Sequence, residues 1–221
     1  MATQEELKRI AAQKAVEFVP EDEYIGIGTG TTVNCFIEAL AASGKRIKGA
    51  VSTSKETSAQ LVKYNIPEVT LSDVVRLTVY VDGADEVNHS LQMIKGGGGA
   101  LLNEKIVASA SDLFICIADE SKYVSRLGKF HLPVEVIPSA RSLVARHLLK
   151  LGGEPELRVG FTTFNGNEIL DVSGLDVSLP LTMEDQINKI PGVVENGLFA
   201  HHGADILILG RDTGAEVIKI R

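Results

Sequence analysis

The sequence predicts an α/β fold, a Rossmann-like parallel-sheet domain carrying an inserted ferredoxin-like α+β domain. Three observations carry this. Short apolar runs alternate with helical patterns from Tyr24 to Asp119, the mark of parallel strands joined by helices. Beyond Phe130 the order becomes strand, helix, two strands, helix, strand, the βαββαβ split pattern. Two last apolar runs, "GADILILG" and "EVIKIR", are assigned back to the first sheet. The expected domains are residues 1–130 plus 200–221 and residues 131–199.

The elements follow in order. Residues 4–18 place Leu7, Ile10, Ala11, Ala15 and Val16 at helical spacing, so the chain opens with a helix. "YIGIGTGTTVNCFIEALAA" reads as strand, Gly/Thr turn and helix, and "IKGAVSTS" with "KETSAQLVKYN" repeats that plan. "RLTVYVDGADEV" is a strand ending in an acidic turn, "ALLNEKIVASA" a helix and "DLFICIAD" a buried strand. In the second half, "LPVEVIP" is a strand and Ser139–Leu151 a helix. Two strands flank Asn165-Gly166, a hairpin signal. "TMEDQINKI" is a helix and "VVENGLF" a strand.

Composition narrows the function. A net charge of −7 over 221 residues disfavours nonspecific nucleic-acid binding. An anionic substrate therefore needs its own cluster of donors. Cys35 and Cys116 both lie in apolar stretches, with no CxxC pair and no disulfide framework, which fits a reducing compartment. No apolar run approaches the roughly 20 residues of a membrane span, and the first residues lack a signal peptide's apolar core. The expectation is a cytoplasmic protein with no membrane or nucleic-acid partner.

Four clusters carry possible chemistry. "GIGTGTT", Gly26–Thr32, lacks the third glycine of a dinucleotide fingerprint and the lysine of a Walker A loop. It is either a phosphate-binding helix N-terminus or a Thr-capped tight turn. "VDGADEVN" crowds Asp82, Asp85 and Glu86 into one turn. That suits a hard cation, sugar hydroxyls with proton shuttling, or a simple capping turn; EF-hand spacing is lacking. "IKGGGGALLNEK" sets four glycines between Lys95 and Glu104. Glycine loses the most conformational freedom on folding, so the run needs a local reason. One reading has Lys95 stabilising an oxyanion, the glycines admitting substrate and Glu104 acting as a base. The other has two solvated charges around a loop. "ADESKYVSRLGKF" places Lys122 after a strand end, a weak signal alone.

Taken together, "GIGTGTT", "VDGADEVN", "MIKGGGGALLNEKIVA", "ADESKYVSRLGKFHLPVEVIP" and "GADILILG" resemble the ribose-5-phosphate isomerase family, type A, in the family's order and over nearly the whole chain. The resemblance implies interconversion of D-ribose 5-phosphate and D-ribulose 5-phosphate, in the pentose phosphate pathway, without a metal or organic cofactor. It implies that Glu104 is the general base, Lys95 the cation beside the enediolate oxygen, and Asp82 and Asp85 the groups that hold sugar hydroxyls and assist ring opening. It further implies substrate contacts from Thr29, Gly30, Thr31 and Thr32, from Gly83 and Ala84, from Gly96, Gly97 and Gly98, and from Lys122. Thr31 stands where serine is more usual in the family; either supplies a hydroxyl. Lys8, on the opening helix, is a candidate phosphate partner against the ordinary reading of a solvated cation. The family implies a homodimer or homotetramer. Two alternatives stay open, a sugar-phosphate-sensing regulator on the same fold and a coenzyme A transferase with a glutamate nucleophile.

Overall fold

A computed structural model describes residues 2–220. In chain order the elements are α1 (Gln4–Val16), β1 (Tyr24–Ile27), α2 (Thr31–Ala42), β2 (Gly49–Ser52), α3 (Lys55–Lys63), β3 (Val79–Asp82), β4 (Glu86–Val87), β5 (Met93–Ile94), α4 (Leu101–Ser109) and β6 (Phe114–Asp119). Then come β7 (Leu132–Val136), α5 (Arg141–Lys150), β8 (Glu154–Leu157), β9 (Glu168–Ser173), α6 (Pro180–Asn188), β10 (Val193–Asn196), β11 (Leu198–Phe199), β12 (Ile206–Arg211) and β13 (Gly214–Lys219). Arg221, the last residue of the predicted strand "EVIKIR", lies outside the described residues.

By internal contacts the chain forms two units, Met1–Ala84 with Asn103–Tyr123 and Ala204–Arg221, and Asp85–Leu102 with Val124–Gly203. Residues 85–102, which the sequence reading groups with the first domain, belong to the second by this division. The reason is pairing, since β4 and β5 join β11 in a small three-stranded sheet.

The first unit is built on a six-stranded sheet in the order β13-β12-β6-β3-β1-β2. Its first five strands in sequence run parallel, and β13 closes one edge antiparallel to β12. The strands read as continuous apolar runs because both faces are covered. Ile25, Ile27, Val81, Ile115, Ile117 and Ile208 are fully buried in one core with Ala11, Ala15, Phe36 and Ile37 of the flanking helices. α1 starts at a capping box, with Thr3 and Glu6 satisfying each other's backbone donors. Its apolar stripe is Leu7, Ala11, Ala12, Ala15 and Val16; Ile10 is only half-buried.

The second unit contains the βαββαβ arrangement, β7-α5-β8-β9-α6-β10, as an antiparallel sheet ordered β10-β7-β9-β8. Val134, Val136, Val144, Leu148 and Ile187 form its buried core. Two local expectations change. "VVENGLF" splits at Gly197 into β10, which pairs with β7, and β11, which pairs with β5; glycine is needed at the junction, since a Cβ there would stand 2.3 Å from the Lys95 carbonyl oxygen. Asn165-Gly166 does not form a two-residue hairpin loop. The turn runs Thr163–Gly166, closed by the Gly166 N–H on the Thr163 carbonyl at 3.0 Å, with Gly166 at φ +82°. The Asn167 side chain and the Thr163 hydroxyl both donate to the buried Glu135 carboxylate, which anchors this longer connection. Among the described residues no helix is long and apolar enough to cross a membrane.

Candidate active site

In the first unit β2 lies on one side of β1 and β3, β6 and β12 on the other. Loops leaving β1 and β3 therefore diverge, and the crevice outside their carboxyl ends is where open α/β sheets take ligands. Gly28–Thr32 leaves β1 there, Asp82–Ala84 leaves β3, and Lys122 ends the short 3-10 turn Glu120–Lys122 that follows β6. The sequence thus brings Thr29–Thr32, Asp82, Gly83, Ala84 and Lys122 to one end of one sheet.

Asp82 is fully buried. Its carboxylate accepts the Thr29 N–H at 3.0 Å, the Gly83 N–H at 2.7 Å and the Tyr80 hydroxyl. Gly28 is bare for this reason, since a Cβ would fall 1.9 Å from the carboxylate. The Thr29 hydroxyl bonds that of Thr53 at 2.7 Å, and the Thr57 hydroxyl donates to the Gly28 carbonyl at 2.6 Å. The turn after β1 is thereby tied to the start of α3. α2 begins at Gly30, φ +117°, with no side-chain cap on its first turn. Such a helix start favours an anion. The Lys8 ammonium reaches the same turn, donating to the Thr31 hydroxyl at 2.9 Å.

Glu104 sits in the first turn of α4, 4% exposed, where the helix dipole favours a carboxylate. Asn103 beside it donates to the Thr53 carbonyl at 3.2 Å. Tyr80 supports Asp82 from behind. It is two residues before Asp82 on β3 and so on the same face, fully buried, with its ring 4.8 Å from that of Phe114. Burial first, then the charges of Asp82 and Glu104, push the phenol well above its ordinary 10.0. Tyr80 therefore stays a protonated donor to Asp82. The sequence reading missed it, although a tyrosine one strand period before a strand-end aspartate in "VYVD" is a usable signal. Thr53 and Thr57 were missed too.

In the second unit Lys95 follows β5. It is 2% exposed, its N–H donates to the Gly197 carbonyl at 2.8 Å, and its ammonium lies 5.5 Å from the Phe199 ring centroid. The glycines after it form a turn closed by the Gly99 N–H on the Gly96 carbonyl at 2.9 Å. Gly97 and Gly98 are exposed. Asp85 accepts the Gly97 N–H at 2.8 Å, so this unit brings together Asp85, Lys95 and Gly96–Gly98. A Cβ on Gly97 would stand 2.6 Å from that carboxylate. Glu86, crowded beside Asp85 in sequence, is occupied elsewhere, accepting the Gly128 and Phe130 N–H groups at 2.7 Å each.

Among the described residues no group of three or more His, Cys, Asp or Glu is placed to hold a metal ion. Both cysteines are buried free thiols, and burial, then the Glu5 charge, pushes Cys35 up. A separate cavity of about 590 Å³ is lined by Ser52, Glu68, Asp73, Asn103 and Ile106 among others, and by none of the acid–base candidates.

Residues 49–214 match the model of a family described as ribose 5-phosphate isomerase A, or phosphoriboisomerase A. The chain is 72% identical over 218 residues to ribose-5-phosphate isomerase A of Neisseria meningitidis serogroup C, covering 99% of this chain and 98% of that one. Its fold is similar to the crystal structure of ribose 5 phosphate isomerase A from Neisseria gonorrhoeae, with TM-score 0.98 at 71% identity over 99% of this chain and 98% of the other. A second similar structure is ribose 5-phosphate isomerase A from Methanocaldococcus jannaschii, with TM-score 0.93 at 39% identity over 99% and 100% of the two chains.

Proposed function

The chain belongs to the ribose 5-phosphate isomerase A family, and from that premise we infer how its residues divide the chemistry. It interconverts D-ribose 5-phosphate and D-ribulose 5-phosphate, a reaction of the pentose phosphate pathway. The full-length identity to isomerases carries this conclusion, and a regulator or a coenzyme A transferase on the same fold is not favoured.

Glu104 is the general base that carries a proton between C2 and C1. Its burial and its helix N-terminus support the role, since a carboxylate fixed near the substrate carbon transfers protons well. Lys95 stabilises the enediolate oxygen, as a held cation aimed at growing negative charge is often the largest catalytic contribution. Asp82 holds sugar hydroxyls and assists ring opening; its fixed donors support a carboxylate that stays in one orientation. Asp85 shares the hydroxyls while bracing the glycine turn. The turn Thr29–Thr32 takes the phosphate, supported by the uncapped start of α2, and Lys8 joins it. Gly83, Ala84, Gly96, Gly97, Gly98 and Lys122 complete the substrate contacts. The reaction needs no metal or organic cofactor. The enzyme acts in the cytoplasm as a homodimer or homotetramer, which sedimentation analysis of the purified protein reads directly.

A coupled assay for ribulose 5-phosphate tests the roles. Glu104→Gln keeps the shape and loses the base, so kcat should fall by at least about 10²-fold while ribose 5-phosphate still binds. Near wild-type turnover would remove Glu104 from the mechanism.

A further inference from the structure

The glycine turn after Lys95 presents a physical problem of its own. Four consecutive glycines lose more conformational entropy on ordering than any other tetrapeptide. Something must hold the Gly96–Gly99 turn in one shape. Asp85 holds the Gly97 N–H from one side. On the other side stands Arg158, just past β8.

The Arg158 guanidinium donates to the Gly97 carbonyl at 3.1 Å and, through both terminal nitrogens, reaches the Gly96 carbonyl at 3.4 and 3.5 Å. Its Nε and second terminal nitrogen form a two-point pair with Asp171, at 2.8 and 2.6 Å. Both side chains are largely buried, 19% and 23% exposed. The strand pairing explains why they meet. Arg158 continues the β8–β9 ladder with its N–H on the Ile169 carbonyl, and Asp171 lies two residues along β9, the diagonal position. Phe161 adds a third contact. Its ring centroid is 5.3 Å from the guanidinium carbon, and the ring fills the space beside Gly99, where a Cβ would stand 2.1 Å away. Gly99 has φ +81°, so glycine is required twice over at that position.

We propose that Arg158, oriented by Asp171 and flanked by Phe161, is a positioning residue that holds the Gly96–Gly99 turn in its substrate-receiving shape. The proposal rests on the reading of Gly96–Gly98 as substrate contacts. An arginine suits the task because its planar fork serves carbonyls and a carboxylate at once, which a lysine ammonium does not. The turn contacts the sugar in ground state and transition state alike, so its loosening weakens binding more than turnover.

Hydrogen exchange by mass spectrometry over the peptide Ile94–Leu101, with steady-state kinetics, tests this on Arg158→Met, Arg158→Lys and Asp171→Asn. Arg158→Met should speed exchange in that peptide at least about tenfold, raise KM about tenfold and change kcat less than about threefold. Arg158→Lys should move the same way, and Asp171→Asn less far. Adding Asp171→Asn to Arg158→Met should cost nothing further, because both act through one clamp. Unchanged exchange in the Ile94–Leu101 peptide of Arg158→Met would overturn the clamp, as would a uniform rise in exchange across the protein. Faster local exchange with unchanged KM would uphold the clamp and instead refute the substrate role of the glycines. If Arg158→Met does not fold, Asp171→Asn carries both measurements, with faster exchange confined to the Ile94–Leu101 peptide and a raised KM expected, and unchanged exchange there overturning the clamp.

Discussion

At the scale of the residue, Asp82 depends on a neighbour that the family resemblance does not mention. The Tyr80 phenol donates to it from within the sheet face, and burial keeps that phenol protonated. Tyr80→Phe keeps the ring packed on Phe114 and removes one donor to Asp82. A buried group left short of a hydrogen-bond partner costs about 1–3 kcal/mol, so kcat/KM should fall by about tenfold or more. An unchanged kcat/KM would detach Tyr80 from Asp82. Stability has its own pH signature. Tyrosine ionises near 10.0 when unfolded and well above that in the folded chain. Its contribution is therefore fully present below pH 10.0 and is lost as pH rises toward the folded value. Urea midpoints should fall more steeply above that pH in the wild type than in Tyr80→Phe, a comparison that reads the buried phenol directly.

At the scale of the element, the site depends on what the strand ends leave out. β1 ends beside a glycine because the Asp82 carboxylate occupies the place of its Cβ. Gly28→Ala forces that carboxylate aside, so stability should drop by about 1–3 kcal/mol and activity should fall with it. Thermal unfolding and the isomerase assay on one preparation check both. A mutant with wild-type kinetics would mean that Asp82 is not held where catalysis needs it. α4 contributes differently, since its first turn is both a frame for Glu104 and a source of positive potential. α1 crosses the fold to bring Lys8 to Thr31. Lys8→Met should raise KM for the sugar phosphate by about tenfold, the scale of one charge-assisted bond, and hardly change KM for a sugar without phosphate.

At the scale of the whole molecule, the open question is the path of the hydrogen. Aldose–ketose exchange proceeds through a base or by direct hydride shift, and the shift is usually helped by a metal that polarises both oxygens. The buried Glu104 carboxylate suits the proton route. In heavy water the ribulose 5-phosphate product should carry deuterium at C1, which mass spectrometry reads. Product free of deuterium in a single turnover would leave the proton route unsupported. Activity should also survive exhaustive chelation if, as proposed, Lys95 supplies the positive charge; loss on chelation with recovery on adding a divalent ion would point to a metal-bound enediolate. One base serves one face of the substrate. Arabinose 5-phosphate, with the opposite configuration at C2, should compete through its phosphate without appreciable turnover.

Much of this was legible in the chain itself. Strand and helix periods, glycine punctuation and the order of the apolar runs are local properties, so they determined the α/β class, the βαββαβ segment and the return of the last strands to the first sheet. The motifs singled out Glu104, Asp82, Asp85 and Lys95 as candidates, while the roles proposed for them come from the family resemblance. What the tertiary structure alone decided is which of these groups are held, and by what. Asp85 meets Gly97 across 12 residues and Arg158 meets Gly97 across 61. Those partners follow from strand pairing between distant segments, whose register no local spacing encodes. Glu86 looked equal to its acidic neighbours and proved to cap two backbone amides, while Tyr80, which the sequence reading did not single out, proved to hold an acid. A side chain's chemistry is written in its residue type, but its role depends on the donors that folding brings to it.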